Sequence, residues 1–177
     1  MLRYSLYGMW KGFEEMRALG WTDRVPRFVA AEVSGSLQQA MRTGAEQPPM
    51  CERAAPSIAA SIGAAQGTYQ GIAALRASKG RAVFVSDDEI LAWQACLGRS
   101  EGVYAEPSAA ATLPAIARLR AEGTIKPDDR VVALLTAGGL KDPGPGERRL
   151  ASAPDIPGTL DDAVRALRES YGFHADQ

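Results

Sequence analysis

Apolar positions recur along this chain in two periods, and the alternation between them predicts a succession of helices and strands. Leu6, Met9, Trp10, Phe13 and Met16 fall three or four positions apart, with Lys11, Glu14, Glu15 and Arg17 largely elsewhere. That spacing gathers the apolar side chains on one face of a helix over residues 6–19, which Gly20 is suited to stop. Gly8 and Gly12 within it are expected to allow close packing. Residues 27–33 (RFVAAEV) follow Pro26 and read as a short buried strand. Ser34 and Gly35 turn the chain into a short helix over 36–42, and the polar, proline-containing stretch 43–56 predicts a loop. A helix over 69–78 closes at Gly80, and residues 82–85 (AVFV) form a second strand. Ser86, with Glu89 three positions on, is a capping box opening a helix that Ile90, Leu91, Gln94 and Leu97 carry to Gly98. One further helix is expected over 107–122, with Pro107 in the first turn, where a missing N–H costs least. Residues 130–136 (RVVALLT) are the most continuous apolar run and predict a third strand, turned sharply by Ala137, Gly138 and Gly139. The proline-rich stretch 141–157 predicts a loop, and 160–171 a final helix capped by Thr159, with Asp161 and Asp162 in its first turn.

Strands alternating with helices imply an α/β fold, a parallel sheet with helices on both faces. Residues 1–142 are assigned to that layer, and residues 143–177 to a loop and helix packed on the same domain. Hydrophobic residues make up 46% of the chain and charged residues 23%, a globular composition. The formal net charge of −1 gives no basis for binding nucleic acid or an anionic membrane. No apolar run reaches the roughly 18 residues of a membrane span. Residues 1–5 are too few and too polar for a signal peptide. Cys51 and Cys96 lack metal-ligand spacing, and His174, the single histidine, is expected to be solvated near the chain end. That inventory argues against a zinc site or a serine–histidine triad. A cytoplasmic protein with free thiols is expected.

In an open parallel sheet, ligands bind beyond the carboxyl ends of the strands. The rule selects Ser34–Gly35, Ser86–Asp87 and the turn at 136–139. At the last, the Thr136 hydroxyl followed by Gly138 and Gly139 lets backbone and side chain approach a flat ligand, although glycines serve any strand-to-loop turn equally well. In EGVYAEPSAAA (101–111), Glu106 and Ser108 flank the start of a helix of small residues. A helix N-terminus favours an anion, and a plain cap explains the same pattern. The acidic start Asp87, Asp88 and Glu89 is explained by the helix dipole.

Taken together, these segments resemble threonine synthases. LLTAGGLKDP (134–143) is similar to the end of the family's last core strand, and EGVYAEPSAAA resembles its Glu-Gly-x-x-x-Glu-Pro-x-Ser-Ala-Ala segment. VSDDEILAWQ (85–94) resembles the helix entry before it. LYGMWKGFEEM (6–16) and RVPRFVAAEVSG (24–35) resemble the helix and strand that follow the family's phosphate-binding glycine loop. The order is the family's, and the likeness covers nearly the whole chain. It implies an incomplete tryptophan synthase β-like fold and pyridoxal phosphate as cofactor. Thr136 would set its hydroxyl against the ring nitrogen, with Gly138, Glu106 and Ser108 beside the ring. The complete enzyme, a lyase of amino-acid biosynthesis, would convert O-phosphohomoserine and water to threonine and phosphate.

Two departures stand out. Ala137 occupies the place of a motif glycine, and alanine is strained there if a positive φ is needed. The Schiff-base lysine of the family sits in a Ser-x-Lys context that none of Lys11, Lys79, Lys126 and Lys141 has, and residues 1–5 stand where the glycine loop should be finishing. No catalytic residue is therefore assigned. The expectation is a C-terminal fragment, inactive and weak in cofactor binding by itself, whose partner is an N-terminal half or a second copy. The other readings are a non-catalytic α/β module and a piece of a split serine or threonine dehydratase-like enzyme, against which LKDP and WKGF argue.

Overall fold

The computed structural model describes residues 2–147 and 154–173. His174 and part of the proline-rich stretch lie outside the described residues. The chain divides into two compact units, Met1–Gly146 and Glu147–Gln177. In the first, α1 (Leu2–Ala18) precedes β1 (Val29–Glu32) and α2 (Ser36–Thr43). Then come α3 (Tyr69–Ala77), β2 (Arg81–Phe84), α4 (Asp87–Glu101), α5 (Pro107–Ala110) and α6 (Thr112–Ala121), followed by a short α7 (Gly144–Glu147). The second unit carries α8 (Leu160–Tyr171), whose Thr159 hydroxyl accepts the Asp162 N–H as the sequence predicts.

β1 and β2 pair in parallel, Val29 opposite Arg81 and Glu32 opposite Phe84. Alternation along the strands separates two faces. Ala31, Val33, Val83 and Val85 point into a core with Ile90, Ala109, Ala110, Ala115 and Leu119, contributed by α4, α5 and α6. Ala82 is buried outside that cluster, and α2 and α3 pack on β2. Helices thus cover both faces, as the α/β reading requires. Gly80 sits where the strands converge: a Cβ there would lie 2.0 Å from the Phe28 carbonyl oxygen, which accepts the Arg81 N–H at 3.0 Å.

The third predicted strand is not a strand here. Residues 130–136 form no regular element, and among the described residues nothing pairs with their backbone. A strand is defined by its neighbour, and an apolar run cannot reveal whether one is present. The single long helix expected over 107–122 is two. Pro114 has no N–H to give the carbonyl four residues back, so α5 ends at Ala110 and α6 starts anew at Thr112. Residues 2–5 are helical rather than the end of a loop. Gly8 and Gly12 face open space instead of a packed neighbour.

The capping box forms as expected. The Ser86 hydroxyl accepts the Glu89 N–H at 3.2 Å, and the Glu89 carboxylate accepts the Ser86 N–H at 2.8 Å. Glu89 also pairs with Arg118 of α6, which donates to the Phe84 carbonyl at 2.5 Å, so one carboxylate ties α4 to α6 at the end of β2. The Ser86 N–H is the main reason the Glu89 carboxyl lies below its ordinary value, and the Arg118 charge adds to it. A depressed folded-state value stabilises the fold above the unfolded value of 4.5 and is lost as pH falls through the folded one. Glu89→Gln is therefore expected to cost stability near neutral pH, with the difference from the unaltered chain shrinking below pH 4.5, as urea titrations at several pH values would show.

Candidate functional site

β1 ends in a buried carboxylate with a specific task. The N-cap of α2 is Gly35, at φ 79°, which has no side chain to satisfy the first N–H groups of the helix. Glu32 does so from three residues upstream, accepting the Leu37 N–H at 3.0 Å and the Gln38 N–H at 2.6 Å. Sequence reading missed this residue; the signal was a carboxylate at a strand end ahead of a helix with no capping side chain. Ser36, fully buried, donates to the Pro49 carbonyl at 2.5 Å and accepts the Gly67 N–H at 2.9 Å, pinning the intervening loop. The same loop is clipped to α4 by Asp87, which accepts from Arg53 at 3.3 Å, Ser57 at 2.5 Å and the Ile58 N–H at 3.3 Å. Asp87 therefore does more than complement a helix dipole.

The two segments singled out by sequence lie side by side. The Gly139 N–H donates to the Tyr104 carbonyl at 2.7 Å, and the Glu106 N–H to the Ala137 carbonyl at 3.0 Å. Glycine is needed at 139 rather than 138: a Cβ on Gly139 would meet the Tyr104 ring at 2.4 Å, whereas one on Gly138 would be 3.8 Å from its nearest neighbour. Ala137 is not among the residues with positive φ, so the strain anticipated there does not arise; Lys79, at φ 54°, is the non-glycine residue so placed among those described. Glu106 is buried, and its carboxylate lies 3.9 Å from Nζ of the exposed Lys141.

A cavity of about 150 Å³ opens beside β1. Val29, Ala30, Ala31 and Glu32 line it together with Leu134, Thr136, Ser34, Gly67 and Ser108. Ser108 accepts the Ser61 N–H at 3.2 Å. The Thr136 hydroxyl has no partner among the described residues. Of the residues nominated from sequence, Thr136 and Ser108 thus share the cavity, while Glu106 and Gly138 do not line it. None of the lining residues is a lysine.

The pattern of the family described as pyridoxal-phosphate dependent enzyme matches residues 5–137. The chain belongs to the pyridoxal-phosphate dependent enzymes. Threonine synthase of Methanosarcina acetivorans is 32% identical to it over 171 residues, 94% of this chain and 41% of the relative. Threonine synthase of Mycobacterium tuberculosis is 31% identical over 153 residues, 86% of this chain and 41% of the relative. That of a Bacillus species is 36% identical over 140 residues, 78% and 38%. The chain spans about two-fifths of the length of these curated relatives. The family's cofactor is pyridoxal phosphate, and the cavity fits its unreactive side: hydroxyls for polar edges, and small apolar residues against a flat ring. The cavity does not fit the covalent part, because no amine lines it. Among the described residues, no helix of this family member is long and apolar enough to cross a membrane.

Burial raises the Glu32 carboxyl above its ordinary value, against the lowering effect of its two backbone donors. A raised folded-state value favours folding most below the unfolded value of 4.5, and the advantage is lost as pH rises through the folded one. Comparison of the unaltered chain with Glu32→Gln by urea unfolding is therefore expected to show a difference that is largest at low pH and smaller at neutral pH, opposite in direction to Glu89. Glu32→Ala strands two helix N–H groups and is expected to cost about 1–3 kcal/mol.

Proposed function

We propose that this chain is the C-terminal portion of a threonine synthase-like lyase acting on O-phosphohomoserine in the cytoplasm, and that it supplies one wall of the cofactor site but not the reactive amine. Residues 1–142 belong to the α/β layer, with 143–177 as a proline-rich appendage. The observation that carries the reading is the meeting of Thr136 and Ser108 on one cavity that contains no lysine.

In this reading each residue has a holding role. The Thr136 hydroxyl, without a partner among the described residues, would meet the ring nitrogen and, being neutral, would leave that nitrogen largely unprotonated. Ser108, which accepts the Ser61 N–H, would stand beside the ring. Gly138 would let the backbone come close, and Glu106 pairs with Lys141 at 3.9 Å. Bound pyridoxal phosphate would supply the electron sink for chemistry at the substrate's carbons. The lysine that forms the covalent link and moves protons belongs to the portion of the enzyme that this chain does not match. Lys141 is a poor substitute, because it is exposed and does not line the cavity.

Titration of the purified chain with pyridoxal phosphate, borohydride reduction and peptide mapping tests this. Scattered, substoichiometric labelling of lysines is expected. One stoichiometric adduct at a single lysine would overturn the reading.

A further inference from the structure

The connection between α2 and α3, residues 44–68, is long for a link inside a compact unit, and its helical structure is one 3-10 turn, Ala60–Ile62. Ordered loops of such length usually have a function of their own. The base of this one is closed. The Cys51 N–H donates to the Ala65 carbonyl at 2.8 Å, Met50 and Gln66 form an antiparallel bridge, and Ser36 bonds both Pro49 and Gly67. Residues 51–65 therefore leave and return at one point, as an Ω-loop does.

Beyond its base the loop is attached mainly through polar contacts. Asp87, at the start of α4, accepts from Arg53 at 3.3 Å, from the Ser57 hydroxyl at 2.5 Å and from the Ile58 N–H at 3.3 Å. Arg53 also donates to the Val33 carbonyl at 2.5 Å. Further on, the Ser61 N–H donates at 3.2 Å to Ser108 of α5, which is 6% exposed. The apolar hold is smaller. Within 51–65 the fully buried side chain is Ala59, with Ile58 and Ile62 only partly buried against the core. A single methyl group contributes far less than the valines that fix the strands. The Asp87 side chain is 28% exposed, so water can replace its three donors as they leave, which keeps a released state within reach. The same loop forms part of the cavity wall, through Ser61, Ile62 and Ala64.

We propose that residues 51–65 are a lid on this cavity, hinged at the Met50–Gln66 bridge and latched by Asp87. When the latch lets go, the loop leaves α4 and α5 as a unit and Ser61 parts from Ser108. The cavity then loses the wall that Ser61, Ile62 and Ala64 provide. The hinge stays in place, because its bonds run to Ser36 of α2 and between the two ends of the loop.

Two readouts on the full chain test this. The first uses Cys51→Ser and Cys96→Ser to remove the native thiols, and Ser108→Cys to place a reporter at the contact between the lid and α5. Its reaction with an aromatic disulfide should quicken about tenfold on adding Asp87→Asn, which keeps the shape of the latch and removes its charge. The second is backbone hydrogen exchange with the native thiols and Ser108 retained. Asp87→Asn should speed exchange at the Ile58 and Ser61 amides by about the same factor. The hinge amides of Cys51 and Gly67, and that of Val85, bonded to the Glu32 carbonyl, should be unchanged. If Asp87→Asn does not fold by far-UV circular dichroism, Ser57→Ala, which leaves α4 intact, takes its place with an expected effect of about fivefold. Equal acceleration at all five amides would show that Asp87 holds the whole fold rather than a lid, and would overturn the proposal. Acceleration that includes the hinge amides, faster exchange without faster thiol reaction, or no change in either readout would overturn it as well.

Discussion

Among the described residues two parallel strands are bonded only to each other, which leaves half of their backbone groups pointing outward, and the candidate site lies beside them. On the β2 side of the pair, Gly80 lets the strands approach, and Arg118 and Glu89 fasten the end of β2 to two helices. On the β1 side the outward groups meet an apolar cavity. Parallel strands are ordinarily buried on both faces. Here the faces are covered, while among the described residues no strand is bonded to the outer edge of β1, beside which the cavity lies.

What holds the cavity in shape is polar and local. Glu32 anchors the start of α2, Ser36 pins the loop that carries Gln66 and Gly67, and Asp87 clips the earlier part of that loop to α4. Two backbone hydrogen bonds join the segments around Glu106 and Gly138, and the Tyr104 ring lies against Gly139. The hydroxyls of Ser108 and Thr136 are thus presented from a framework whose own hydrogen bonds are made elsewhere. Such an arrangement can orient a flat ligand, but no residue lining it can form a covalent bond to an aldehyde through an amine.

Features specified within a few residues were legible in the sequence. The capping box at Ser86 and the Thr159 cap need only their own turn, and both form. Features that depend on a distant partner were not. Residues 130–136 have the composition of a strand, but pairing is non-local and no neighbour adjoins them among the described residues. The need for glycine at 139 comes from the Tyr104 ring, thirty-odd positions away, so the chain pattern alone could not separate 139 from 138. Glu32 was invisible for a related reason: its value lies in what Gly35 cannot do for α2. Pro114 was a local signal that went unread, and it split one expected helix into two. Thr136 and Ser108 were nominated from strand and helix ends, and the fold brings them to one cavity.

The central claim is that this chain contributes a wall and not the amine. Phosphate release from O-phosphohomoserine, measured with pyridoxal phosphate present, tests it most directly when this chain is assayed alone and with the unmatched portion of a curated threonine synthase. The account predicts no release from either polypeptide by itself and turnover from the pair, abolished by substituting the lysine on the added portion and lowered by Thr136→Val. Turnover by this chain alone, or by a pair whose added portion lacks its lysine, would contradict it.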